Sequence, residues 1–203
     1  MKWIDEGTAN PLETNAALFS AALNEFASHS YKDASLNRIL KAAGMNKGSF
    51  YYRFHDKLEL YLSLLMRIGG EKAALFEQYG GQIEQQGFFE EFRQKALLGL
   101  RFAKSEPHYH ALFQRVLEEK SDIRAAIDAC FGGTMENMME QMITRAKAAG
   151  ELRGDLPAET TARVIATLMN KIDTVISPDL EDEKLMAGID MLLDILKNGM
   201  AKK

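Results

Sequence analysis

The chain has 203 residues, 46% hydrophobic and 27% charged, which allows one or two domains with a sizeable core and an ordinary water-facing surface. Its single cysteine, Cys130, excludes an intramolecular disulfide, no segment is long and apolar enough to cross a bilayer, and the Met-Lys-Trp-Ile-Asp-Glu-Gly start lacks the apolar run of a signal peptide, so a cytoplasmic protein with no membrane partner is expected. The formal net charge is −4, but residues 28–58 set Lys32, Arg38, Lys41, Lys47, Arg53 and Lys57 against Asp33 and Asp56, six against two, or +4, which leaves −8 for the rest. A basic segment on an acidic body can attract phosphate locally while the remainder stays off nucleic acid.

Helical periodicity runs almost throughout and strand-like alternation is nowhere sustained, which predicts an all-α fold of nine or ten helices. Residues 12–28 read as the first, with Leu12, Ala16, Phe19, Leu23 and Phe26 on one face. Residues 35–43 read as the second, capped by Asp33 or Ser35, with Ile39, Leu40 and Ala43 inward. Gly44 supplies a tight turn. Asn46 can cap a third helix, residues 47–54, whose Phe50 and Phe54 are four apart and form its buried face. Asp56 caps a fourth, in which Gly69-Gly70 predicts a bend or break and a candidate joint, because each glycine costs roughly 1 kcal/mol relative to alanine. Gly80-Gly81 reads as a stop. The domain boundary falls in this stretch, giving domains at 1–60 and 61–203. Further helices are expected at 88–105, from Pro107 to about 120, and from 121 to 150 with Gly132-Gly133 a candidate kink. Two more run from Pro157 to a stop at Pro178 and over 180–198.

The third helix is too polar and too basic to be buried. With the second it forms a helix-turn-helix, the arrangement that sets the N-terminal end of one helix in the major groove of DNA. Lys47 and Ser49 can bond base edges or phosphates. Gly48 lets the backbone lie close, and Tyr51 and Tyr52 offer hydroxyls and flat rings. Lys57 and Ser35 sit at helix starts, where backbone N–H groups favour phosphate.

Residues 12–65 resemble the DNA-binding domain of the tetracycline-repressor (TetR) family. The residues that carry the resemblance are Ala21-Ala22-Leu23, Phe26, Tyr31, Ser35, Ile39 and Ala42-Ala43-Gly44. Asn46-Lys47-Gly48-Ser49-Phe50-Tyr51-Tyr52-Arg53-Phe54 and Asp56-Lys57-Leu58-Glu59-Leu60 follow. The resemblance implies an all-α homodimer with a larger C-terminal effector-binding and dimerisation domain, most often a repressor of a palindromic operator. Two positions depart from the family pattern. Ala34 stands where Thr is usual, so the cap must come from a neighbour, and Arg53 stands where His is common, adding a candidate phosphate contact.

No motif in the C-terminal part names a ligand. Met135, Met138, Met139 and Met142 share one stretch, and Phe92, Phe102, Tyr109 and Phe113 precede it. Flexible methionines with aromatics can line an adaptable apolar cavity, although for any one of them core packing is the better expectation. The last two helices carry more apolar surface than one internal face requires. Ile165, Leu168, Met169 and Ile172 on one, and Leu185, Ile189, Leu192 and Leu196 on the other, are the expected dimer contacts, paired as a four-helix bundle. His108 and His110 point about 200° apart on a helix and make a poor metal pair. No phosphate-binding glycine loop, catalytic triad or paired-carboxylate pattern is present, so no cofactor, metal or catalytic residue is expected. The rival readings are an all-α enzyme, which turnover would reveal, and a protein-binding adaptor, which would show no salt-dependent DNA affinity.

Overall fold

The computed structural model describes residues 1–83, 86–131 and 134–200, the side chains of 79–83, 121, 134–136 and 138 excepted. In chain order the helices are α1 (Lys2–Asp5), α2 (Pro11–Thr14), α3 (Ala16–Ser28), α4 (Leu36–Ala42), α5 (Lys47–Arg53) and α6 (Lys57–Ile83). They continue as α7 (Phe88–Ser105), α8 (Pro107–Glu118), α9 (Ser121–Phe131), α10 (Thr134–Ala148), α11 (Ala158–Asn170), α12 (Ile172–Val175) and α13 (Asp182–Met200). The all-α expectation holds, and the described residues contain no strand. Among the described residues there are thirteen rather than nine or ten: α1 lies ahead of the first helix expected, the stretches 12–28 and 157–178 each divide in two, and 121–150 holds both α9 and α10. Asn15 separates α2 from α3 by turning its side chain to accept from Leu18 N–H at 2.9 Å. Lys171 divides the stretch expected to run unbroken from Pro157 to Pro178.

Two compact units emerge. The first holds residues 1–74 and 106–130; the second holds 75–105 and 131–203. In the first, α3 packs on α4 and α8 around Leu18, Ala22, Phe26, Ile39, Phe50, Phe54 and Leu60, all buried. In the second, α7 packs on α13 and α10 on α11, around Phe92, Leu100, Met139, Ile143, Ile165, Leu185 and Ile189.

Two expected interruptions do not occur. α6 runs unbroken through Gly69-Gly70 and through Gly80-Gly81. Buried Leu60, Leu64, Leu65 and Ile68 hold the turns before the first pair, and this packing outweighs the local glycine penalty. Nor do the glycines admit a neighbour, since a Cβ placed on Gly69 or Gly70 meets no described atom within 4 Å. Alanine at both positions should therefore stabilise the chain by about 1–2 kcal/mol and raise its thermal midpoint by a few degrees. A lowered midpoint in calorimetry would reveal a need for glycine that the continuous helix does not show. The candidate kink at Gly132-Gly133 lies outside the described residues.

Candidate nucleic-acid interface

The helix-turn-helix is built by local caps. Ser35 Oγ accepts from Arg38 N–H at 3.3 Å, so the neighbour of Ala34 supplies the cap of α4 while Ala34 itself is buried. At the other end Gly44 adopts φ +63°, Met45 N–H reaches Leu40 O at 2.9 Å and Gly44 N–H reaches Lys41 O at 3.2 Å. That is a Schellman turn, which needs a residue free to enter the left-handed region. Asn46 Oδ1 then accepts from Ser49 N–H at 2.8 Å and starts α5. A Cβ on Gly48 would sit 3.3 Å from that same oxygen, so glycine protects the cap as well as thinning the helix surface.

The inner face of α5 is Phe50, fully buried, stacked on Phe54 with ring centres 5.4 Å apart. Its outer face carries Lys47 and Gly48, both exposed, with Tyr51 at 50% and Tyr52 at 77% exposure. Leaving two large aromatics in water needs a reason, and a flat ring with a hydroxyl suits a groove wall. Ser49 and Arg53 are half-buried, and Arg53 turns one N–H back onto Ser49 O at 2.9 Å.

Lys57 is placed differently from the exposed phosphate ligand expected of it. Its ammonium donates to Tyr31 O at 2.6 Å and Ala34 O at 2.8 Å and lies 4.3 Å from the Tyr31 ring centre. Burial pushes it below the ordinary lysine value, against the pull of Asp33 and other carboxylates. Two of its three N–H donors thus brace the loop ahead of α4, leaving one for DNA. Tyr31 is held from the other side as well, its backbone N–H donating to the Glu119 carboxylate at 2.7 Å.

The charge count also changes in space. Glu25, on α3, accepts from Arg38 Nε at 2.9 Å and from Ser35 N–H at 2.7 Å, so one of the six cations is neutralised from outside the basic segment. The Arg38 hydrogen bond holds the Glu25 carboxyl below its usual range although partial burial opposes it.

The other candidate sets are distributed as follows. Phe92, Met139 and Met142 meet in the packed core of the second unit; Phe102 belongs to the same unit and is buried, but not within that core. Tyr109 and Phe113 belong to the first unit. The Tyr109 ring lies edge-on to Phe19 and its hydroxyl, pushed up to about 12 by burial, donates to Glu71 at 3.0 Å, while Phe113 lies under Lys72. The eight effector candidates are therefore not gathered in one unit. The side chains of Met135 and Met138 lie outside the described residues. A depression beside α10 is lined instead by Asn137, Glu140, Gln141, Thr144 and Arg145, a polar set that sequence reasoning passed over.

The eight dimer candidates divide into two groups by burial within their own unit. Ile165, Ile172, Leu185 and Ile189 are buried in the core of their own unit, while Leu168, Met169, Leu192 and Leu196 pack partly against it. The apolar side chains left outside on the same stretch are Val164, Val175, Leu180, Met191 and Ile195. Met191 and Ile195 are an i,i+4 pair on α13, on the face away from the buried Leu185, Ile189 and Leu193.

The geometry defines a helix-turn-helix protein with an exposed aromatic and basic recognition face. Residues 18–64 match the family model described as bacterial regulatory proteins, tetR family. The match is confined to this segment, the one that holds α4, the turn and α5. The chain is 26% identical over 106 residues to the "Probable acrEF/envCD operon repressor" of Escherichia coli (strain K12), covering 52% of this chain and about half (48%) of that protein. It is 22% identical to the "HTH-type transcriptional repressor AcnR" of Corynebacterium efficiens over 90% of this chain and 92% of the relative. The crystal structure of a TetR family transcriptional regulator from Chloroflexus aurantiacus covers 95% of both chains at 25% identity and a TM-score of 0.73. FadR from Bacillus subtilis, crystallised with stearoyl-CoA, shares the fold at 16% identity and a TM-score of 0.71, over 91% of this chain and 98% of FadR.

Proposed function

We propose that this chain is a transcriptional repressor that binds a palindromic operator as a homodimer and is released by a small, partly apolar effector. The observation that carries the reading is the outer face of α5, with Lys47, Gly48, Tyr51 and Tyr52 exposed on a helix anchored by Phe50 and Phe54. The repressor relatives and the acyl-CoA bound to FadR support the regulatory class and the apolar character of the effector. Effector binding in the second unit would be read as weaker operator affinity, a coupling between two sites.

Lys47→Ala should weaken DNA binding, lower the slope of log affinity against log salt by about one if Lys47 meets a phosphate, and change base preference if it meets a base edge. Tyr51→Phe should lower affinity through its lost hydroxyl. Lys57→Ala should lower it by slackening the Tyr31 and Ala34 loop as much as by the lost charge. Gel-shift titration measures all three. Unchanged affinity in the three variants together would remove the DNA-binding assignment.

A further inference from the structure

Residues 1–7 precede the segment that matches the TetR family and carry no motif of their own. α1 is a single turn, yet it is tied to two other helices of its unit. The backbone N–H of Lys2 donates to the Glu59 carboxylate, a buried group that also accepts from His55 N–H at 2.7 Å. Trp3 Nε1 donates to Ser63 Oγ at 2.8 Å. Both anchors lie on α6. Held there, the Lys2 side chain crosses to the C-terminal end of α5, where Nζ donates to Tyr52 O at 2.6 Å and Tyr51 O at 3.2 Å. It lies 5.6 Å from the Tyr52 ring centre, with the Arg53 guanidinium at 5.9 Å from the same ring.

The last carbonyls of any helix lack intrahelical partners and carry partial negative charge. In a helix as short as α5, of 7 residues, they are a large share of the whole. An ammonium bridging two of them restrains the turn from which Tyr51 and Tyr52 project. We propose that Lys2 is a positioning residue for DNA recognition, closing the C-terminal turn of α5 from the N-terminal helix and fixing the direction of its two exposed tyrosines. The inference rests on the DNA-binding reading for its consequence but not for its geometry. With two of three N–H donors spent on carbonyls, Lys2 acts on the helix rather than on phosphate.

The test uses the full chain and a duplex that the wild type enriches from a random-sequence pool. Lys2→Met keeps the stem and removes the ammonium. It should weaken binding about fivefold to tenfold with the salt slope unchanged, and Lys2→Arg should restore most of the loss. Amide exchange of free protein should quicken at Arg53 and Phe54 and stay as in the wild type across α3. Unchanged affinity and exchange would overturn the proposal. So would a salt slope lowered by about 0.9, which marks a phosphate ligand, or exchange quickened equally in α3, which marks general loosening. If the wild type enriches no duplex, the DNA-binding reading fails, and the exchange comparison still decides whether Lys2 caps α5.

Discussion

Phe50→Ala should abolish operator binding and lower stability by about 3–5 kcal/mol, the range for emptying a buried aromatic site. Phe50 is fully buried, stacks on Phe54 and lies edge-on to Tyr51 with ring centres 5.1 Å apart. Short helices hold their shape through tertiary packing rather than propensity, and Phe50 is the buried residue of α5 itself. Differential scanning calorimetry should show the midpoint falling by about 10 °C. Tyr52→Ala is the contrasting variant. With 77% of Tyr52 exposed, its loss should change stability by less than about 0.5 kcal/mol while still weakening DNA binding. Equal destabilisation by the two would mean that α5 is not anchored through its phenylalanines.

Met191→Glu combined with Ile195→Glu should yield a folded monomer whose operator affinity is lower by about two orders of magnitude or more, because two half-sites no longer act together. These side chains are 64% and 63% exposed on α13, so charging them costs little within one chain and much within a paired apolar face. Sedimentation and circular dichroism separate the two effects: helicity should be retained while the mass halves. Ile189→Glu is the control, since Ile189 is fully buried and a charge there should unfold the second unit. A double variant that sediments like the wild type would place the interface elsewhere.

Local chemistry made the reading head legible. Ser35, Asn46 and Asp56 each accept from a backbone N–H three residues on, Gly44 makes the turn, and Phe50 and Phe54 point inward. Each of these features is written within four residues of itself. What stayed hidden depends on partners distant in sequence. Lys57 reaches back to Tyr31 and Ala34, Glu25 crosses to Arg38, and Lys2 reaches the carbonyls of Tyr51 and Tyr52. In the second unit the limit is different. α13 is apolar on two stripes, Leu185, Ile189 and Leu193 facing the core and Met191 and Ile195 outside. Both stripes have the same spacing, and periodicity cannot say which one a helix keeps for itself. The glycine pairs misled because a propensity cost of about 1 kcal/mol each is smaller than the burial that carries α6 through them.

Sedimentation of the wild-type protein with the duplex that it enriches from a random-sequence pool, repeated over a range of salt, addresses the central claim most directly. The account predicts an enriched site of two inverted half-sites separated by about one helical turn or a multiple of it, two chains per duplex, and log affinity that falls linearly with log salt. Enrichment of no sequence above bulk DNA, with no salt-dependent affinity for any duplex, would contradict it.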